Sequence, residues 1–317
     1  MDSASTWRIV DEEWGAALPS LQGFVKIANL SVAHDPAWAT NGLLEKVCAH
    51  VMDWVKAQDL KGCTVELLHD EGYSPFVAVE VAGTVGSPRA ASTFVMYGHL
   101  DKMPHGPGWD ADIEPTSGLL RDGKVYGRGA ADDGYAPYSC VIALKALQRQ
   151  GIDHPRVMIV LETSEESGSP HLGHYIEKLS QRIGQPTAVF CMDSIAEDYS
   201  RLWLTSSLRG VVMGKVEVGI LRENLHSGFG GGIVPDAFRV GRQLLARIED
   251  PATGKILLPE LRTKIPYERQ QQIKDLSVAV PRPDLNRKIP WREGAQPQHL
   301  EDPFAMHLAN TWEPCMT

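Results

Sequence analysis

The order of apolar runs predicts an α/β fold: a mostly parallel central sheet flanked by helices, with a second, smaller α+β domain beginning near residue 206. Three observations carry that expectation. Short β-rich runs such as Thr93-Phe94-Val95-Met96 and Arg156 to Leu161 alternate with stretches of helical periodicity. Strand, helix, strand, helix in that order implies right-handed crossovers between parallel neighbours. After about residue 205 the texture changes, and from about 250 to 303 Pro, Arg and Gln dominate with little periodicity. The expected domains are therefore 1–205 and 206–317.

Residues 1 to 30 read as a helix with Trp14, Leu18, Leu21 and Val25 at roughly helical spacing. Ala33 to Thr40 is a Pro-containing loop. Asn41 is placed to cap a helix to about Gln58 whose apolar face holds Leu43, Leu44, Val47, Cys48, Val51, Trp54 and Val55. Strands follow at about 63–68 and 76–82, then the strand that ends at His99. Residues 102 to 124 form a long loop rich in Pro, Gly and Asp, the kind that is either functional or disordered. A helix at 135–150, a strand at 156–161, a helix at 172–182 and a strand at 188–191 complete the first domain. Beyond the boundary, residues 210 to 219 alternate loosely as a strand. A Gly-rich turn, His226 to Gly232, precedes a helix that starts near Pro235 and carries Phe238, Val240, Leu244, Leu245 and Ile248.

Composition excludes several classes. A hydrophobic content of 43% with 22% charged residues supports a real core. The net charge of -9 argues against nucleic acid as a partner. No apolar run approaches the ~18 residues that span a bilayer, and the N-terminus lacks the basic-then-apolar pattern of a signal peptide. Cys48, Cys63, Cys140, Cys191 and Cys315 are scattered without a C-x-x-C pair, which fits reduced thiols in a cytoplasm and, for Cys191, a buried structural thiol. The terminal Asn310 to Thr317 has no stop-like character, so the chain is expected to be a fragment.

The chemistry gathers at strand ends. His99 and Asp101 lie two apart at the end of an apolar strand, so their side chains point to one side. Asp132/Asp133, Glu165/Glu166 and Asp193 follow other strands or loops in the same way. Carboxylates brought together raise one another's pKa unless a cation neutralises them. A His with several carboxylates suits a borderline divalent ion, zinc first and manganese second. Two such ions need a bridging carboxylate and a shared water. One of the adjacent glutamates can then hold an ion while the other serves as base. His171 and His174 lack the Glu of a metalloprotease helix and read as surface residues. Ser206 and Ser207 lack the setting of a hydrolase nucleophile.

In Gly98-His99-Leu100-Asp101, Tyr126-Gly127-Arg128-Gly129-Ala130-Ala131-Asp132-Asp133, Glu165-Glu166 and Met192-Asp193, the chain resembles the di-metal family of carnosinases, cytosolic dipeptidases, aminoacylases, succinyl-diaminopimelate desuccinylases and carboxypeptidase G. The resemblance implies that His99 binds one metal and Asp101 orients it. By the same likeness Asp132 bridges both metals, Glu165 is the general base, and Glu166 and Asp193 complete the ligands. It also implies a cis peptide after Asp132. Leu225-His226-Ser227-Gly228 resembles the family's lid motif, whose His reaches the partner subunit's site to hold an oxyanion. Arg209 and Thr311 resemble lid positions near substrate.

Two departures stand out: Asp133 is followed by Gly134-Tyr135 rather than Lys-Gly, and the family's last His ligand has no counterpart. His299 and His307 come before the lid would be complete. The resemblance implies hydrolysis of dipeptides by a homodimer that pairs through the lid. Deacylation of N-acyl amino acids is the alternative within the family, and a non-catalytic metal-binding or dimerisation module is the alternative outside it.

Overall fold

Five strands form one sheet in the spatial order β1 (Cys63–Leu68), β2 (Phe76–Val81), β6 (Arg156–Glu162), β3 (Thr93–His99) and β7 (Ala188–Cys191). The computed structural model describes residues 2–194, 196, 198, 200–280, 289–299 and 302–317. These fall into two compact units, Met1–Ile195 and Ala196–Thr317. Within the sheet β3 pairs in parallel with β6 on one side and β7 on the other. β2 runs antiparallel to both β1 and β6. Hence β2 alone is reversed and the sheet is mostly parallel, as expected.

Side-chain alternation explains how the sheet buries both faces. Along β6, Val157, Ile159 and Leu161 join a core with Val77, Val79 and Val81 of β2. That core is covered by α1 (Ser3–Lys26), α2 (Leu43–Lys56) and α3 (Ala136–Arg149), which contribute Phe24, Val51 and Tyr138 among others. The intervening residues Met158 and Val160 pack on the other face with Phe76, Ala78 and Val95, under Tyr175, Leu179 and Ile183 of α4 (Leu172–Ile183).

The connections place the site. From β3 the chain crosses through α3 to β6; from β6 it crosses back through α4 to β7, on the far side of β3. Right-handed crossovers in opposite directions put α3 and α4 on opposite faces. The strand order therefore reverses beside β3, and ligands of open α/β sheets bind at such a point, beyond the carboxyl ends of the strands.

Several elements depart from expectation. The loop after β3 contains a hairpin, β4 (Leu119–Arg121) and β5 (Lys124–Tyr126), whose strands are too short for periodicity to disclose. Asn41 does not itself end the loop; Gly42 is the cap residue, in left-handed conformation, and Asn41 Oδ1 accepts from Leu43 N at 3.0 Å. Cys191 is exposed rather than buried, because β7 is an edge strand with one neighbour. His171 and His174 are packed and not simply superficial. His171 Nδ1 accepts from Ser74 N at 3.0 Å, and His174 stacks on Tyr73 at 3.8 Å.

In the second unit residues 210–219 do not form a strand. A ladder needs a neighbouring strand, and among the described residues of that unit the one isolated bridge is Glu249 with Ile256. Helices α5 (Ala237–Leu245), α6 (Tyr267–Ala279) and α7 (Pro303–Thr311) are present. Asp236 caps α5 by accepting from Phe238 N and Arg239 N. α6 lies within the stretch read as aperiodic, and Ile273 is its one buried residue, so it carries no apolar stripe to read.

Candidate metal centre

Three parallel neighbours, β6, β3 and β7, end at one edge. In register, His99 faces Glu162 and Tyr97 faces Cys191. The residues that follow each end therefore converge: His99 to Asp101 from β3, Glu165 and Glu166 from β6, Asp193 from β7. The turn before α3 adds Asp132 and Asp133, joined by a cis peptide bond.

His99 is fully buried at the centre. Its Nδ1 lies 3.1 Å from the Asp101 carbonyl and 3.4 Å from Asp101 Oδ1. A carbonyl only accepts, so Nδ1 carries a proton and Nε2 is turned to the carboxylates. From Nε2 the distances are 3.0 Å to Asp132 Oδ1, 3.8 Å to Glu165 Oε2 and 3.9 Å to Asp193 Oδ2. Asp101 does more than orient the ring. Its two oxygens accept from Glu165 N at 3.2 Å and Glu166 N at 3.1 Å, which ties the β3 end to the glutamate turn. Asp133 Oδ2 accepts from His99 N at 3.2 Å. Tyr135 donates its hydroxyl to the Met192 carbonyl, linking the start of α3 to the β7 end.

The electrostatics are those of crowded acids around one base. Burial by itself would lower His99, but hydrogen bonds to Asp101 and Asp132 overcome it and raise the imidazole to about 11. Burial lifts Asp133 to about 8 and, with the Asp132 charge, Glu166 to about 7. Burial also raises Glu165 and Asp193. Asp132 is lowered by its hydrogen bond to His99. A proton on His99 thus neutralises part of the cluster, the task that a cation would perform.

The donors fit a divalent ion. Ligand atoms of His99, Asp132 and Glu166 lie within 4.8 Å of one another, and so do those of His99, Glu165 and Asp193. Glu166 Oε1 is shielded from solvent with no hydrogen-bond partner, so it has a lone pair for an ion to take up. One ring nitrogen and several carboxylates form a borderline donor set. In this geometry His99 is common to both groups, whereas the sequence reading makes Asp132 the shared ligand. One ring nitrogen serves one ion, so a second ion would rest on the carboxylates.

The remaining candidates lie in the second unit. His226 is exposed and its Nδ1 accepts from Gly228 N at 3.0 Å. Arg209 and Thr311 line one cavity of about 600 Å³. There Arg209 donates to the Glu313 carbonyl at 3.2 Å, and Thr311 Oγ1 donates to the His307 carbonyl at 2.7 Å. His307 is buried and its Nε2 donates to the Val280 carbonyl.

Sequence reasoning did not single out the groups that hold these loops. Glu162 is buried and accepts from the hydroxyls of Tyr97, Ser164 and Ser169. A strap at residues 29–34 crosses both ligand loops: Asn29 Nδ2 donates to the Leu100 carbonyl, Ser31 N to the Lys102 carbonyl and Ala33 N to Ser167 Oγ. Ser31 Oγ lies 2.5 Å from Ser167 Oγ. Small polar residues in a loop carry no periodic signal, so only their placement discloses them.

Comparison with known proteins bears on the same residues. The profile described as Peptidase family M20/M25/M40 matches residues 95–307. Human Beta-Ala-His dipeptidase is 28% identical over 207 residues, which are 64% of this chain and 40% of that protein. Succinyl-diaminopimelate desuccinylase of Stenotrophomonas maltophilia is 32% identical over 129 residues, 38% of this chain and 34% of that one. The chain thus spans well under half the length of these relatives. In fold it is similar to a metallo-carboxypeptidase of Sulfolobus solfataricus, with a TM-score of 0.66 at 19% identity, covering 98% of this chain and 63% of the other.

Proposed function

Because the chain belongs to Peptidase family M20/M25/M40, we propose that its strand-end cluster is the metal centre of an enzyme that hydrolyses dipeptides. The observation that carries this reading is the convergence of His99 Nε2 with Asp132, Glu165, Glu166 and Asp193 at one sheet edge. The proposed domains follow the sequence reading, a metal-binding part to about residue 205 and a lid beyond it. His99, Asp132, Glu166 and Asp193 would hold two divalent ions, zinc before manganese. When bound, such ions polarise the scissile carbonyl and lower the pKa of water. Asp101 holds the His99 imidazole and the glutamate turn together. Glu165, its affinity for protons raised by burial, takes a proton from the attacking water and returns it to the leaving nitrogen.

His226 of a partner copy would donate to the oxyanion in a homodimer formed through the lid. Arg209 and Thr311 would contact substrate. The likeness to a dipeptidase supports dipeptides as substrates, and the free thiols support a cytoplasmic setting. The likeness to a desuccinylase supports the second reading, an N-acyl amino acid deacylase. A dipeptidase needs the substrate's free α-amine, and a deacylase needs it acylated.

The test is Glu165→Gln, assayed on β-alanyl-histidine, other dipeptides and their N-acyl forms, with metal content measured by elemental analysis. Turnover should fall by about 100-fold or more while metal is retained, since a positioned general base contributes 10²–10⁴-fold. Loss of metal would make Glu165 a ligand instead. An unchanged rate would remove it from the chemistry.

A further inference from the structure

Lys102 is 2% exposed, and no carboxylate among the described residues pairs with it. A buried, unpaired ammonium is costly, and an unbranched apolar side chain would fill the same space. Its Nζ instead donates to three carbonyls at the end of α1: Ile27 at 2.7 Å, Phe24 at 2.8 Å and, more weakly, Val25 at 3.5 Å. It also lies 4.4 Å from the centre of the Phe24 ring. Phe24 and Val25 lie in the last turn of α1 and Ile27 is its cap residue, so the ammonium sits at a helix C-terminus, where a cation is favoured. Burial opposes the charge and pushes its pKa down, to about 7.

The side chain connects more than a helix end. Lys102 follows Asp101, whose oxygens take the backbone N–H groups of Glu165 and Glu166. Its own carbonyl accepts from Ser31 N at 3.0 Å. Its stem passes Gly129, three residues before Asp132, so closely that a Cβ there would lie 2.6 Å from Lys102 Cε. Gly129, at φ +84°, has the conformation and the bareness that this passage requires. One side chain therefore touches the helix end and the Asp132 loop while its backbone carries the β3 end.

We propose that Lys102 is a positioning residue of the metal centre: it anchors Asp101, and through it Glu165 and Glu166, to the end of α1, and it sets the approach of the Asp132 loop. This rests on the reading of the cluster as a metal centre. Groups behind metal ligands typically contribute about 10–100-fold in affinity.

The experiment uses Co²⁺ as a probe on the whole chain, with affinity from chelator competition, ligand geometry from the visible absorption spectrum, and fold from circular dichroism. Lys102→Met, which fills the stem's space as far as Cε and removes the donor, should retain the fold, bind Co²⁺ about tenfold more weakly and alter the spectrum. Lys102→Gln, shorter by one bond and neutral, should fall between Met and the parent, and it decides the matter if the Met variant does not fold. Either variant that folds and matches the parent in affinity and spectrum overturns the assignment. If the parent itself takes up no Co²⁺, the metal-centre reading fails and this inference falls with it.

Discussion

Burial and neighbouring charges tune several groups at the site, and the tuning predicts a pH response. In folded chain without metal, Asp133 holds its proton to about pH 8 and Glu166 to about pH 7, well above their ordinary values of 3.8 and 4.5. His99 holds its second proton to about 11 rather than 6.5. In each case the folded state binds more protons than the unfolded one between the two pKa values, so stability falls as pH rises through that window. Asp132 runs the other way, being lowered, but it is one group against several. We therefore expect the melting temperature in a chelator to drop from pH 5 to pH 9, and zinc to flatten the slope by replacing those protons. A chelated sample whose stability stays level across that range would contradict the assignment of these protons.

Elements meet the site through close backbone approach. β3 runs against the start of α3 at Gly98, where a Cβ would lie 2.6 Å from Ala136 Cβ and 2.8 Å from Asp133 Oδ2. Both neighbours are buried, and Asp133 is bonded to His99 N. Gly98→Ala should therefore push α3 from β3, costing about 1–3 kcal/mol as overpacking does, and should weaken metal binding. Denaturant unfolding and metal titration of the variant would check both effects; full stability would mean that the helix start yields freely. Most strands and helices of the first unit were legible because they bury a regular apolar pattern, as in Val157, Ile159 and Leu161 against Met158 and Val160, whereas the three-residue strands β4 and β5 are too short to show one. α6 was not, because it has no stripe. The strand expected at 210–219 failed for the opposite reason: its alternation is real, but no strand among the described residues of its unit pairs with it.

At the scale of the molecule, the second unit leaves large apolar side chains in solvent: Leu208 at 88%, Val212 at 91% and Met213 at 87% exposure. Exposed apolar groups clustered along one segment mark surfaces that associate. In the proposed homodimer this segment would be covered, and Val212→Lys should convert a dimer to a monomer in light scattering at micromolar concentration. A variant that remains dimeric would move the interface elsewhere. Among the described residues no helix is long and apolar enough to cross a membrane.

Pattern and residue type alone disclosed the α/β architecture, the strand ends and the acids that cluster there, since apolar periodicity and charge are local properties of a chain. Tertiary structure alone decided what holds them. That Asp101 joins Glu165 and Glu166, that Ser31 meets Ser167 and that Lys102 closes α1 are contacts between segments tens of residues apart. Such contacts follow from how strands are ordered in a sheet, which no local periodicity encodes. The pKa of each acid is likewise a property of distance and burial, and so was not readable before the chain was folded.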